Sequence, residues 1–195
     1  DRSPKRDGSK RTIGESPISV YTDEVKASFT NGPAIVMLSR DGGESNDLYR
    51  NDSEGISQLA LHKDERDLMA LVKQYKDNGT FTKVIVLLNT SNPMEVKWFD
   101  EYGVDAAMWI GGPGNSTGFR GVSNLLKGEA NPSGKLVDTY ASNSLSAPAT
   151  VNFGEFAYEN RVEVAKGVTD NAAECIYYVV QTEGIYVGYK YYETR

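Results

Sequence analysis

The sequence predicts an α/β fold, a mainly parallel sheet sandwiched between helices. Three short apolar runs carry that prediction: AIVML at 34–38, VIVLL at 84–88 and AAMWI at 106–110. Their length and apolar continuity are those of strands in a sheet covered on both faces. One long helical period lies between the first two runs. Strand, helix and strand joined by a short link make a parallel βαβ unit.

Residues 1–17 are rich in Lys, Arg, Ser and Gly and show no apolar period, so they are expected as a poorly packed or disordered lead-in. A brief strand is expected at 18–21 and one or two helical turns at 23–29, where Val25 and Phe29 stand at i and i+4. Asn31-Gly32-Pro33 reads as a turn, and the first core strand follows. It stops abruptly at the polar segment SRDGGESND, 39–47. Ligands of open α/β sheets bind at the carboxyl ends of the strands. Adjacent glycines let the chain bend there and clear space around Glu44, whose carboxyl group is placed for acid/base work. Taken alone, the segment reads more readily as a solvated loop.

An irregular stretch over 48–61 leads to a helix at 63–78. Leu68, Leu71, Val72 and Tyr75 fall on one face. Asp64, Glu65 and Asp67 occupy its first turn, which favours negative charge, and Asn78-Gly79 stops it. After the second core strand, Asn92-Pro93-Met94-Glu95 has the cap, proline and glutamate of a helix start, with an end near Tyr102-Gly103. The third strand, 106–110, contains Trp109. Glycine-rich 111–118 then leads to a helix at 119–127, closed by Gly128. Gly112, Gly114 and Gly118 do not fit the GxGxxG spacing and no GK[ST] is present, so a strand-to-helix turn is the better reading than a phosphate site. Asn131-Pro132-Ser133-Gly134 is another turn. Residues 142–148 read as structureless and 150–170 give no clean period. Strand-like runs occupy 175–180 and 185–192, dense in Tyr177, Tyr178, Tyr186, Tyr189, Tyr191 and Tyr192. Such a cluster suits sugar faces, an interdomain contact or partly buried packing.

The 195 residues, 39% of them apolar, suffice for one sizeable domain, at a mean hydropathy of -0.48. A net charge of -6 argues against nucleic acid as a partner. No apolar run approaches the roughly 18 residues that span a bilayer, so no membrane partner is expected. Cys175 and His62 are the single cysteine and the single histidine. They exclude an internal disulfide, a cysteine cluster and a two-histidine metal site. His62, at a helix start, reads as a surface or capping residue. No cofactor or metal is expected. Sequons stand at Asn51, Asn78, Asn89 and Asn115, and Asn89 ends a buried strand, where a glycan fits poorly.

Four segments in order carry a resemblance to a known family: SRDGGESNDL at 39–48, residues 84–118, NPSGKLVDTY at 131–140 and EGIYVGYKYYETR at 183–195. Over about 18–195 the chain resembles the α/β sandwich domain of family 3 glycoside hydrolases, the β-glucosidase-like enzymes. That resemblance implies a retaining glycosidase with an aspartate nucleophile on a separate (β/α)8 barrel domain and a glutamic acid/base often supplied by the sandwich domain. Glu44 matches the glutamate of the family's GGE-type loop; Ser45 stands where glycine is frequent. The resemblance also implies Arg40, Asp41 and Asp47 as substrate-binding candidates, the two aspartates orienting the loop or accepting sugar hydroxyls. A retaining mechanism needs carboxyl groups about 5–5.5 Å apart, and no second carboxylate here has an obvious claim to that role. A barrel needs about 250 residues. The chain is therefore expected to be a domain of a larger enzyme, inactive alone, with the barrel domain and a β-glycoside or oligosaccharide as its partners. A non-catalytic carbohydrate- or partner-binding module is the alternative, and a nucleotide-binding α/β domain lacks its fingerprint.

Overall fold

A computed structural model describes residues 5–7, 10–12, 14–40, 55–114, 116–152, 156–171 and 177–194. The chain divides into two units, Asp1–Ser142 and Asn143–Arg195. In the first, β1 (Lys5–Asp7) pairs antiparallel with β2 (Lys10–Thr12) inside the expected lead-in. Ile18–Val20 forms a 3-10 turn instead of the expected strand. Its amide bonds close locally, Val20 N to Pro17 O and Tyr21 N to Ile18 O, each 3.0 Å. Helix α1 (Asp23–Ala27) follows, with Thr22 Oγ1 accepting from Val25 N.

The core strands are β3 (Gly32–Arg40), β4 (Phe81–Thr90) and β5 (Ala106–Trp109), in the order β3-β4-β5 and parallel throughout. The predicted α/β class and all three apolar runs are thus found in one sheet. Among the described residues β3 lies at an edge of the sheet, where the missing N–H of Pro33 is tolerated; its pairing shifts register between Gly32 and Pro33. Between β3 and β4 runs α2 (Lys63–Asp77), one residue short of the expected end. Leu68, Met69 and Val72 of α2 pack with Val36, Leu38, Val84, Val86 and Leu88 from one face of the sheet, joined by Leu61, Met94 and Trp98. Tyr75 completes the helix face by meeting Phe29 edge-on at 4.9 Å.

Cover on both faces holds for β4 but not for its neighbours. Leu87 of β4 is buried as well as Val86 and Leu88, whereas Ile35 and Met37 of β3 are exposed. The middle strand is flanked within its sheet, and β3 has no strand on its other edge among the described residues. Asp105 ties the base of β4 to α2: its Oδ2 accepts from Lys76 Nζ and from Val84 N, both at 2.7 Å.

The helix expected from Asn92 begins later, as α3 (Trp98–Glu101). Tertiary acceptors take the intervening amides, with Glu95 N bonded to Leu59 O and Val96 N to Ala141 O. Helix α4 (Ser116–Lys127) starts three residues earlier than predicted. Gly118 permits this, because a Cβ there would stand 1.6 Å from Pro113 O. The glycine thus serves close approach of the turn to the helix.

The second unit is built of short elements. Where the sequence shows no structure, Ser144–Ser146 forms a 3-10 turn and α5 (Pro148–Asn152) follows. Next, β6 (Phe156–Ala157) precedes α6 (Arg161–Ala165), and β6 pairs antiparallel with β7 (Tyr177–Tyr178). The strand expected at 185–192 is instead a turn and α7 (Tyr189–Tyr192). Gly184 and Gly188 have φ of +58° and +59°, which breaks an extended run, and the amides of Tyr186, Tyr191 and Glu193 bond locally.

Candidate functional site

The three parallel strands end side by side. Arg40 is in register with Thr90, and Leu88 with Trp109. The carboxyl edge of the sheet, where α/β folds place ligands, is therefore formed by residues 39–40, 89–90 and 109–111. Cross-strand side-chain bonds knit it together. Ser39 Oγ lies 3.3 Å from Asn89 Oδ1, and Asn89 Nδ2 donates to Gly111 O. Trp109 Nε1 donates to Thr90 O at 2.8 Å, which fixes the indole at the sheet edge. Thr90 is buried and donates from Oγ1 to Asn92 O at 2.8 Å. Tyr140, at the end of NPSGKLVDTY, packs against the core from this side. Burial pushes its hydroxyl above the ordinary tyrosine value, partly offset by a hydrogen bond with Thr90. Two family-like segments thus meet around one threonine. Asn89 spends its amide on the sheet edge, in keeping with its poor fit to a glycan.

Arg40 is the sequence-predicted site residue that the structure describes. Its side chain and that of Glu65 are each 4% exposed. Nη1 and Nη2 donate to the two carboxylate oxygens of Glu65 at 2.5 and 2.6 Å. Nε donates to Gln58 O at 2.9 Å; Nη1 also reaches Ser39 O and Nη2 Ala60 O, both at 2.8 Å. A guanidinium has five N–H donors, and five acceptors surround this one. The five N–H groups of Arg40, expected from the sequence to contact substrate, are directed here at protein acceptors. Arg40 instead ties the end of β3 to the chain returning toward α2. Asp41, Glu44 and Asp47 lie outside the described residues.

Glu65 was legible in the sequence only as an acidic residue of a first helical turn. Its larger role is to pair with Arg40 while Oε2 also accepts from His62 N at 2.8 Å. The spacing of His62 and Glu65, N-cap to third helical position, is the signal that points to that backward bond. Trp109 was placed in its strand by sequence, but not at an exposed position on the carboxyl edge of the sheet; it is 44% exposed.

Other features point elsewhere. A groove of about 360 Å³ lies along β3 and α2, lined by Tyr21, Phe29, Ile35, Met37, Leu71 and Phe81 among others. It runs along the strand rather than at its carboxyl end, and Glu15 adds a carboxylate to its otherwise mostly apolar side chains. No group of three or more His, Cys, Asp or Glu side chains suited to a metal occurs among the described residues. No helix among them is long and apolar enough to cross a membrane. Of the C-terminal tyrosines, Tyr177 and Tyr189 are more than half exposed, at 62% and 58%, whereas Tyr191 and Tyr192 are half-buried.

Comparison with known proteins places this geometry. The family described as "Glycosyl hydrolase family 3 C-terminal domain" matches residues 19–189. A β-glucosidase of Ruminococcus albus is 30% identical over 169 residues, 87% of this chain and 15% of that protein. β-Glucosidase A of Butyrivibrio fibrisolvens is 33% identical over 124 residues, 64% of this chain and 12% of that one. The crystal structure of a β-glucosidase from Paenibacillus barengoltzii has a TM-score of 0.64 and 28% identity, covering 93% of this chain and 17% of that chain. The chain spans less than a fifth of the length of each of these relatives.

Proposed function

The chain belongs to glycosyl hydrolase family 3, of which it carries the C-terminal domain, and from that premise we propose that it supplies the general acid/base of a retaining β-glycosidase. The observation that carries the proposal is where the chain leaves the sheet. The segment bearing Glu44 departs from Arg40, at the carboxyl end of β3 and in register with Thr90, on the edge where α/β sheets meet their ligands. The relatives named as β-glucosidases support a β-glycoside or oligosaccharide as the substrate class.

Glu44 takes the role that a retaining mechanism requires of its second carboxyl group. It donates a proton to the leaving oxygen as the glycosyl bond breaks, then accepts one from the water that releases the sugar. Asp41 and Asp47 flank it and orient the loop or accept sugar hydroxyls. The nucleophile is an aspartate on a barrel domain of the same enzyme, so the 195-residue chain alone does not turn over an aryl β-glycoside.

Glu44→Gln in the complete enzyme tests the proposal. The variant keeps the shape and removes proton transfer, an effect of roughly 10²–10⁴-fold. The loss should follow the leaving group. Disaccharides, whose sugar alcohol needs protonation, should fail, while an activated nitrophenyl glycoside should still glycosylate the enzyme. Added azide should then restore turnover, since it needs no base. Wild-type hydrolysis of disaccharides by Glu44→Gln would reject Glu44 and favour a non-catalytic binding module.

A further inference from the structure

We infer that the Arg40–Glu65 ion pair is a positioning device that holds together the two stems of the segment carrying the acid/base, and so sets the geometry of proton transfer without touching substrate. The inference rests on the proposed role of Glu44 for its catalytic consequence, but its structural content stands on described residues alone. Arg40 is the last residue of β3. Its partners lie 18, 20 and 25 residues on: Gln58 O, Ala60 O and the Glu65 carboxylate. One guanidinium therefore ties the departing strand, the returning chain and the first turn of α2. Glu65 adds the bond from His62 N on the far side.

The chemistry of the pair supports positioning over simple stabilisation. Taking two charges out of water costs several kcal/mol per ion, and apolar replacement of such a pair is often neutral or better for stability. What apolar side chains cannot reproduce is direction. A planar fork that meets a carboxylate at both oxygens, with three carbonyls completing its donors, has a single orientation. Removal of the fork leaves the stems packed but free to shift, and displacement of a reacting group by about 1 Å can cost 10²-fold in rate.

The test uses Arg40→Lys, which keeps the charge but not the bidentate fork, and the double variant Arg40→Met/Glu65→Met, which removes both charges and leaves neither stranded. In the complete enzyme, kcat and KM are measured across aryl glycosides of graded leaving group and a disaccharide, with Glu44→Gln as the reference. Both variants should lose about tenfold or more in kcat on the disaccharide while KM and the best aryl glycoside change little. Equal loss on every substrate, or full activity in the folded double variant, would overturn the inference. Failure of Glu44→Gln to show the leaving-group pattern would instead reject the acid/base reading. The stems are tested apart from that reading by hydrogen exchange of the amides at residues 60–66 in the 195-residue chain, with those of β4 as the internal reference. Exchange there should quicken several-fold more than in β4 in the double variant, and an unchanged ratio would show that the pair does not hold them.

Discussion

Removing one member of the Arg40–Glu65 pair should cost the fold far more than removing both. Arg40→Met strands a carboxylate whose side chain is 4% exposed and leaves Gln58 O and Ala60 O without the donors they now have. Glu65→Met strands the guanidinium among carbonyls. Breaking a buried pair from one side typically costs about 3–5 kcal/mol, because the other charge stays buried and uncompensated. The double variant has no stranded charge. It loses the bonds to Gln58 O, Ala60 O and Ser39 O and the one from His62 N, a net of about 1 kcal/mol each, so its cost should be about 2–4 kcal/mol. The singles would sum to about 6–10 kcal/mol if they were independent. Urea unfolding followed by tryptophan fluorescence measures the cycle well, since the chain's two tryptophans, Trp98 and Trp109, both lie in the first unit. Midpoints should move while the m-value stays fixed. Single variants that each lose less than about 1 kcal/mol, or a double variant equal to their sum, would refute the reasoning.

Two further predictions follow from the packing and the charges. Leu38→Ala should destabilise by about 2–5 kcal/mol, since Leu38 is 1% exposed at the centre of the core; Ile35→Ala, on the half-exposed face of the same strand, should cost well under half as much in the same urea titration. Asp105 is held below its ordinary carboxylate value, first by the hydrogen bond from Lys76 and then by that from Val84 N. A carboxylate depressed in the folded state contributes its stability above the unfolded value, and loses it as pH falls through the lower folded value. The contribution should therefore be complete at neutral pH and fade below about pH 4, and Asp105→Asn should flatten that part of a stability-against-pH curve.

The sheet was legible because its strands announce themselves by length and β-branched content, and because α2 between them keeps a strict helical face. Whether a strand is covered on one face or two was not legible, since AIVML and VIVLL read alike. Only strand order makes β4 the middle strand and leaves Ile35 and Met37 exposed. The α3 start was misplaced because Asn92 and Pro93 satisfy local capping rules, while Glu95 N and Val96 N find acceptors at Leu59 and Ala141, 36 and 45 residues away. The run at 185–192 misled because tyrosine-rich sequence favours strand locally, whereas glycines at 184 and 188 take positive φ. At the site, the sequence marked where the first core strand gives way to the family-like segment, although β3 runs on through Ser39 and Arg40. The job of Arg40 could not be read there, because a buried arginine and a sugar-binding arginine differ only in what surrounds the guanidinium. Its partner Glu65 stands 25 positions later, behind an ordinary helix-start signal.

The central claim, that this domain brings Glu44 to the glycosidic bond opposite a nucleophile held elsewhere in the enzyme, comes down to one distance. A crystal structure of the complete enzyme trapped as its 2-fluoroglycosyl intermediate would give the separation between the Glu44 carboxyl group and the aspartate bearing the sugar. The account predicts about 5–5.5 Å, the spacing of a retaining pair. A separation of about 6.5–9.5 Å, which leaves room for the water of an inverting mechanism, or a Glu44 directed away from the sugar, would contradict it.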